Sequence, residues 1–323
     1  MIEEIMPDLF RIEIPLPDSP LKYLNSYVVK SDDRSMIVDT GLNRDECLNA
    51  MHRGLEELGI DLAKTDFFIT HLHADHFGLV AKLVTKTSKV YFNRQDAELI
   101  ETWEGFGPMI QYAGTHGFPE EELWNALNQH PGHKFASDWI PDLNIMSDNE
   151  VIRVGDFSFQ CIETPGHTLG HMCMYEPDKK IFISGDHILG DITPNIQCWS
   201  DHENPLKHYL KSLDKVAGLD VDLVLPGHRS MIKDMKGRIT ELKHHHAIRI
   251  DEVSRILNDG AMSAFQVASK MKWDIDADSW DDFPVAQRWF ATGEAISHLR
   301  YLEEDGTLTR ETQDKIVLFS QHG

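Results

Sequence analysis

The chain has 323 residues, 41% hydrophobic and 26% charged, which excludes extended disorder and leaves ample length for a buried core. Asp and Glu outnumber Lys and Arg by 53 to 31, and the resulting charge of −22 argues against a general nucleic-acid binder, which needs cations to neutralise phosphates. At about 150 residues per domain, the length predicts two domains or one large α/β domain with an appendage.

The N-terminus is acidic and alternates like a strand over 9–14, so it does not read as a secretory signal. Tyr23–Val29 is β-rich, and a third strand over 36–38 runs into Asp39-Thr40-Gly41. Residues 44–58 have helical spacing, with Cys47, Met51, Leu55 and Leu58 on one face and Gly59 as the stop. A short buried strand over 67–70 ends in His71-Leu72-His73-Ala74-Asp75-His76, and a second helix is predicted from about Phe77. Residues 96–144 are rich in aromatics, Gly, Pro and His (Trp103, Phe106, Tyr112, Phe118, Trp124, Trp139) and add no clear strand, which suggests a lid-like insertion of short helices. Strands return at Val151–Val154, 157–164, 171–176, 180–184 and 222–225, an interleaving that points to a layered α/β domain. Helices are predicted over 239–257, 263–270 and 287–304, and Gly306 leads into an alternating stretch to Phe319. The acidic run at Asp274, Asp276, Asp278, Asp281 and Asp282 reads as a solvated loop. No apolar run approaches the roughly 20 residues of a membrane span. Cys47, Cys161, Cys173 and Cys198 form no C-x-x-C pair, as expected of free thiols in a reducing compartment. A soluble, cytoplasmic protein is the expectation.

The chemistry concentrates where strands end. Asp39, the His71–His76 cluster, His167, Asp186 and His228 each follow the carboxyl end of an apolar strand. In layered α/β proteins such polar groups converge on one edge, where ligands bind. The Pro-Gly-His at 165–167 and again at 226–228 is suited to presenting a histidine at that rim: proline ends the strand and glycine makes the tight turn. Imidazoles and carboxylates in this number suit zinc, iron or manganese without sulfur. His71, His73, Asp75, His76, His167, Asp186 and His228 are too many for one tetrahedral ion but suit two. One natural partition gives His71, His73 and His167 to the first and Asp75, His76 and His228 to the second, with Asp186 as the bridge.

His71-x-His73-x-Asp75-His76 followed by Pro-Gly-His, Gly-Asp and a second Pro-Gly-His resembles the metallo-β-lactamase fold superfamily over roughly residues 8–235. The resemblance implies an αββα sandwich with a dinuclear metal site, and it implies that Asp39 orients a metal-binding histidine from behind. Pro205, Tyr209 and Leu213, the His244-His245 helix and the stretch 295–306 resemble a subgroup with a C-terminal, mainly helical, winged-helix-like domain. The expected domains are therefore 1–237, catalytic, with the insertion at about 96–144, and 238–323. Other branches fit less well: flavodiiron proteins carry a glutamate at the position of His73, and no ligand motif here contains cysteine.

These readings predict a dinuclear metallohydrolase using a metal-bridging hydroxide, with zinc first and iron or manganese as alternatives. Asp75 would double as a proton shuttle, and Asp39 is counted as catalytic with it through the metal-binding histidine that it orients. An aromatic-rich lid and the acidic charge favour a small acyl substrate (a carboxylic ester, thioester or lactone) over nucleic acid, with no membrane partner and a homodimer left open. The alternatives are a phosphodiesterase or ribonuclease of the same fold, a non-catalytic sensor that has kept its metals, and oxygen chemistry at iron. Several further groups have both a structural and a functional reading. His171 and His187 could serve the metals or simply the fold. His116, His130 and His133, with Trp103, Phe106, Met109 and Tyr112, could line a pocket or pack the lid. Asn195, Gln197 and Trp199 could form a pocket wall. His244, His245 and His246 are read as packing or surface residues. Acidic excess over 261–308 makes the C-terminal part a poor DNA binder.

Overall fold

Strands that are apolar on both faces set the architecture. In the computed structural model, which describes residues 1–322, a seven-stranded sheet runs in chain order. Its strands are β1 (Ile2–Met6), β2 (Leu9–Pro15), β3 (Tyr23–Val29), β4 (Ser35–Val38), β5 (Thr65–Phe68), β6 (Val90–Asn93) and β7 (Leu143–Met146). β1 to β4 pair antiparallel and β4 to β7 parallel. A second sheet has the order β12-β11-β10-β9-β8, from β8 (Val151–Val154), β9 (Phe157–Glu163), β10 (Met172–Glu176), β11 (Ile181–Gly185) and β12 (Leu223–Pro226), and only its β11/β12 pair is parallel.

Period-two alternation sends neighbouring residues into two different cores. Leu24, Val28, Ile37 and Phe67 face α1 (Asp45–Leu58), which buries Cys47, Met51 and Leu55 against them. Tyr27, Val29, Met36, Val38 and Phe68 face the other way and meet Phe159, Cys161, Met174, Ile183 and Leu225 of the second sheet. Two sheets face to face with helical cover form the expected α/β sandwich. α1 ends where predicted, at Gly59 in the left-handed conformation (φ 65°).

Three short helices follow around the site: α2 (Ala74–Phe77), α3 (Val80–Leu83) and α4 (Arg94–Glu101). The helix expected from about Phe77 thus begins three residues earlier, because the Asp75-His76 pair is itself wound into the first turn with His73 at its N-cap. Beyond them lie α5 (Gly107–Thr115), α6 (Glu120–Gln129), α7 (Pro131–Lys134), α8 (Pro205–Val216), α9 (Met235–Ile256), α10 (Ala264–Lys270) and α11 (Val285–Glu304), then the hairpin β13 (Leu308–Gln313) and β14 (Ile316–Gln321). The hairpin turns at Asp314-Lys315, both with positive φ, the backbone a tight two-residue connection requires.

The chain divides into two compact units. The first comprises Met1–Thr102, Lys134–Pro194 and Ser212–Ile239 and contains both large sheets. The second comprises Trp103–His133, Asn195–Lys211 and the chain from Thr240 onward. Residues 103–133, read from sequence as part of a lid-like insertion, thus group with the C-terminal helices. The reason is packing: Ala113, Phe118, Leu123 and Ala126 form one buried cluster with Val285 and Trp289 of α11, and Glu122 pairs with Arg288 at 2.6 Å. The rest of the second unit is organised around α10, α11 and the hairpin, through Val267, Ala268, Ile296, Leu299 and Phe319. Among the described residues no helix is long and apolar enough to cross a membrane.

Candidate metal centre

The strand-end residues singled out in the sequence do converge, all within the first unit. Three groups of ligand atoms each lie within 4.8 Å of one another: His71, His73 and His167; His71, His76 and Asp186; and Asp75, His76 and His228. His73 Nδ1 lies 3.0 Å from both His71 Nε2 and His167 Nε2. His228 Nε2 is 3.3 Å from Asp75 Oδ2. Asp186 stands between the two trios, with Oδ1 3.5 Å from His76 Nε2 and Oδ2 3.5 Å from both His167 Nε2 and His228 Nε2.

Hydrogen bonds from behind decide which nitrogen three of the rings, His71, His76 and His228, present. His76 Nδ1–H donates to Asp39 Oδ2 at 2.7 Å, leaving Nε2 toward the cluster. The Thr70 hydroxyl donates to Asp39 at 2.9 Å and receives His71 Nδ1–H at 3.0 Å, so His71 also turns Nε2 inward. His228 Nδ1–H donates to the Tyr23 carbonyl at 2.9 Å with the same result. Asp39 is held in turn by the Thr70 amide at 2.8 Å. It adopts φ 60°, a left-handed conformation uncommon for a residue with a side chain, at the sharp exit of β4.

Two observations show that these residues fit a cation. His76 Nε2, His228 Nε2 and Asp186 Oδ1 are buried with no hydrogen-bond partner, a costly state for polar atoms aimed at one another. The cradle is also shaped by glycine: a Cβ on Gly227 would lie 2.6 Å from Asp186 Oδ1 and 2.9 Å from His76 Cε1.

The electrostatics divide the cluster. Burial, reinforced by neighbouring imidazoles, holds His71 well below the ordinary histidine range and His73 down at about 3, so both rings are neutral. Burial opposes the charging of His76 and His228 as well, but the nearby carboxylates outweigh it: Asp39, Asp186 and Asp75 raise His76, and Asp186 and Asp75 raise His228 to about 10. Asp75 and Asp186 would be pushed up by burial, yet His76 and His228 together hold both below the usual carboxylate range. Without an ion His71 and His73 are neutral while His76 and His228 hold protons against the carboxylates. A divalent ion would displace those protons, and imidazoles beside two ionised carboxylates are then the donor set of hard or borderline divalent ions.

The profile of the metallo-beta-lactamase superfamily matches residues 21–228, and that of the metallo-beta-lactamase-like C-terminal domain matches residues 279–322. The chain belongs to the metallo-beta-lactamase superfamily. It carries a His/Asp cluster that could hold metal. It is 25% identical over 243 residues to the lactamase-like protein aptB of Emericella nidulans, covering 74% of this chain and 62% of that protein. The chain therefore spans less than two thirds of aptB. To "Probable metallo-hydrolase YqjP" of Bacillus subtilis it is 23% identical over 347 residues, 97% of each chain. A crystal structure of a metallo-beta-lactamase family protein from Thermus thermophilus is similar over 99% of this chain and 100% of its own, at 27% identity and a TM-score of 0.83.

Other residues weighed in the sequence fall elsewhere. His171 belongs to none of the ligand groups but lies beside them, its ring 5.1 Å from that of His71: its Nε2 accepts the Asp186 amide at 3.1 Å, and its Nδ1–H donates to Thr164 Oγ1 at 2.8 Å. It thereby holds the backbone of Asp186. His187 is buried and belongs to none of the three ligand groups. Of the lid aromatics Trp139 lies in the first unit and the others in the second, where Trp103 meets Phe106 edge-on at 4.9 Å, Phe106 contacts His130 and His133, Tyr112 packs on His116 and Met109 joins the cluster around Trp289. Trp199 stacks on Trp289 at 4.3 Å with its indole N–H donated to Gln197, also within that unit, which Asn195 enters by sequence. Of the histidine triplet, His246 is buried against His298 at 3.2 Å. Sequence reasoning missed Thr70 and the Tyr23 carbonyl, because neither residue type in isolation signals a role behind a ligand.

Proposed function

We propose that the chain is a dinuclear metal-dependent hydrolase of small acyl substrates: carboxylic esters, thioesters or lactones. The observation that carries the dinuclear reading is the place of Asp186 between two His-rich trios, with His71, His76 and His228 oriented from behind so that Nε2 faces the cluster. His71, His73 and His167 would hold one ion and Asp75, His76 and His228 the other, with Asp186 shared. Two divalent ions, zinc first and iron or manganese as alternatives, would supply activated water at neutral pH and polarisation of the scissile oxygen.

The chain's own residues set up that chemistry. Asp39 keeps the His76 proton on Nδ1, and Thr70 does the same for His71. Asp75, more exposed at its side chain (17%) than Asp186 (8%), is the carboxylate suited to moving a proton between the site and solvent. The acyl preference is supported by the −22 charge, which repels polyanionic substrates at long range. A cytoplasmic setting accords with four free, buried cysteines.

Metal analysis and a substrate panel test the reading together. The wild type should carry two metals per chain. Asp186→Ala should lose affinity for both and at least about 100-fold in activity, and His228→Ala should weaken one. Acyl thioesters and lactones should turn over in preference to bis-p-nitrophenyl phosphate and single-stranded RNA. Exclusive phosphodiester turnover would replace the acyl reading with the nuclease one. Tight metabolite binding without turnover would make the chain a sensor, and full activity with two metals in Asp186→Ala would refute the bridging role.

A further inference from the structure

Behind the His71, His73 and His167 trio lies a carboxylate that the chemistry above does not use. Asp96 occupies the first turn of α4, is fully buried, and has its amide capped by Asn93 Oδ1 at 2.7 Å. Its Oδ2 accepts the Leu72 amide at 2.9 Å and the Thr168 hydroxyl at 3.0 Å, and its Oδ1 accepts the Gly170 amide at 2.9 Å. Leu72 lies between His71 and His73, and Thr168 follows His167. One side chain therefore grips both of the loops that carry this trio. The approach is close: a Cβ on Gly170 would fall 1.7 Å from Asn93 Oδ1 and 2.6 Å from the Asp96 amide nitrogen, so the loop reaches the helix end only with glycine there. Asp96 makes no such bond to the loops of the other trio, whose supports are Asp39 behind His76, which also reaches His71 through Thr70, and the Tyr23 carbonyl behind His228.

We propose that Asp96 is a positioning residue that clamps the His71–His73 loop to the His167 loop and so sets the affinity of one of the two metal sites, the one that trio forms. An ionised carboxylate can accept all three hydrogen bonds, whereas an amide of the same shape turns an NH2 group toward N–H and O–H donors. Asp96→Asn keeps the volume but retains an acceptor toward only one of the two loops, so it breaks the clamp by leaving a buried amide N–H on the other without its acceptor. The inference rests on the dinuclear reading and adds to it a residue that touches neither metal nor substrate.

Calorimetric titration of zinc into the metal-free full-length chain tests it. The wild type is expected to show two binding events. Asp96→Asn should weaken one event by about 10–100-fold, the loss typical of a support behind a ligand, and leave the other unchanged. Thr168→Val, which removes a single hydrogen bond, should weaken the same event by about 5-fold and decides the matter if Asp96→Asn does not fold. The cobalt-loaded forms should show the same selectivity, with one set of visible d–d bands altered and the other retained. Two wild-type-like events in a folded variant, or equal weakening of both, overturns the clamp and leaves the dinuclear reading standing. A wild-type chain that binds no zinc overturns both.

Discussion

At the residue scale, burial governs how each titratable group behaves, and the effect is clearest away from the metal centre. Glu294 of α11 is 8% exposed and lies 3.9 Å from Arg249 Nε. Burial pushes its carboxyl up to about 7, against the opposing pull of Arg249, which is shared with Glu252 at 2.8 Å. A carboxyl raised from about 4.5 in the unfolded chain to about 7 in the fold favours the protonated form on folding. Its contribution to stability is therefore full below pH 4.5 and lost as the pH rises through 7. Glu294→Gln removes the titration. The variant should gain on the wild type between about pH 4.5 and 8 by on the order of 3 kcal/mol, read from urea unfolding at several pH values. A stability difference that does not change with pH would show that the group ionises in the fold at no cost.

At the element scale, short helices depend on their ends, because a helix as short as α10 makes few internal hydrogen bonds. α10 begins with a reciprocal box in which Ser263 Oγ accepts the Gln266 amide at 3.3 Å and Gln266 Oε1 accepts the Ser263 amide at 2.9 Å. Ser263→Ala should cost about 1 kcal/mol, read as a lower denaturant midpoint at unchanged slope, while Ser263→Thr retains most of it. This start was legible in the sequence, and so were α1, with its apolar face and Gly59 stop, and most of the buried strands, but not β6, nor β7, which begins in the stretch read as adding no strand. The boundaries of α2 and α3 were not. There the chain turns on the geometry of ligand residues, and hydrophobic periodicity carries no information about it.

At the scale of the whole molecule, metal binding and folding of the sandwich unit are linked, because an unfolded chain does not hold the two trios together. An ion that binds only the folded form, at about 100 times its dissociation constant, adds about 2.7 kcal/mol. Chelation should accordingly lower the melting temperature by about 5–10 °C, and added zinc should restore it, as followed by calorimetry. A melting temperature indifferent to both treatments would mean that the cluster holds no ion. The same scale explains the allegiance of residues 103–133. Their aromatics signal burial, but only the tertiary contact with Val285 and Trp289, far along the chain, shows which core they enter.

The sequence by itself determined the sandwich, the strand ends and the seven residues that meet at the cluster. The strand ends and the ligands follow from local physics, namely two-residue periodicity, Pro-Gly turns and ligand types at short spacing, whereas the sandwich was implied by the resemblance of those motifs to a known family. Only the tertiary structure decided which groups stand behind them. That His171 holds the Asp186 backbone, that Thr70 and the Tyr23 carbonyl fix ring orientation, and that Asp96 joins two loops are facts of contact between distant segments. An aspartate in the first turn of a helix reads locally as a favourable partner of the helix dipole. Its burial and its three donors come from other elements, and no local pattern encodes them.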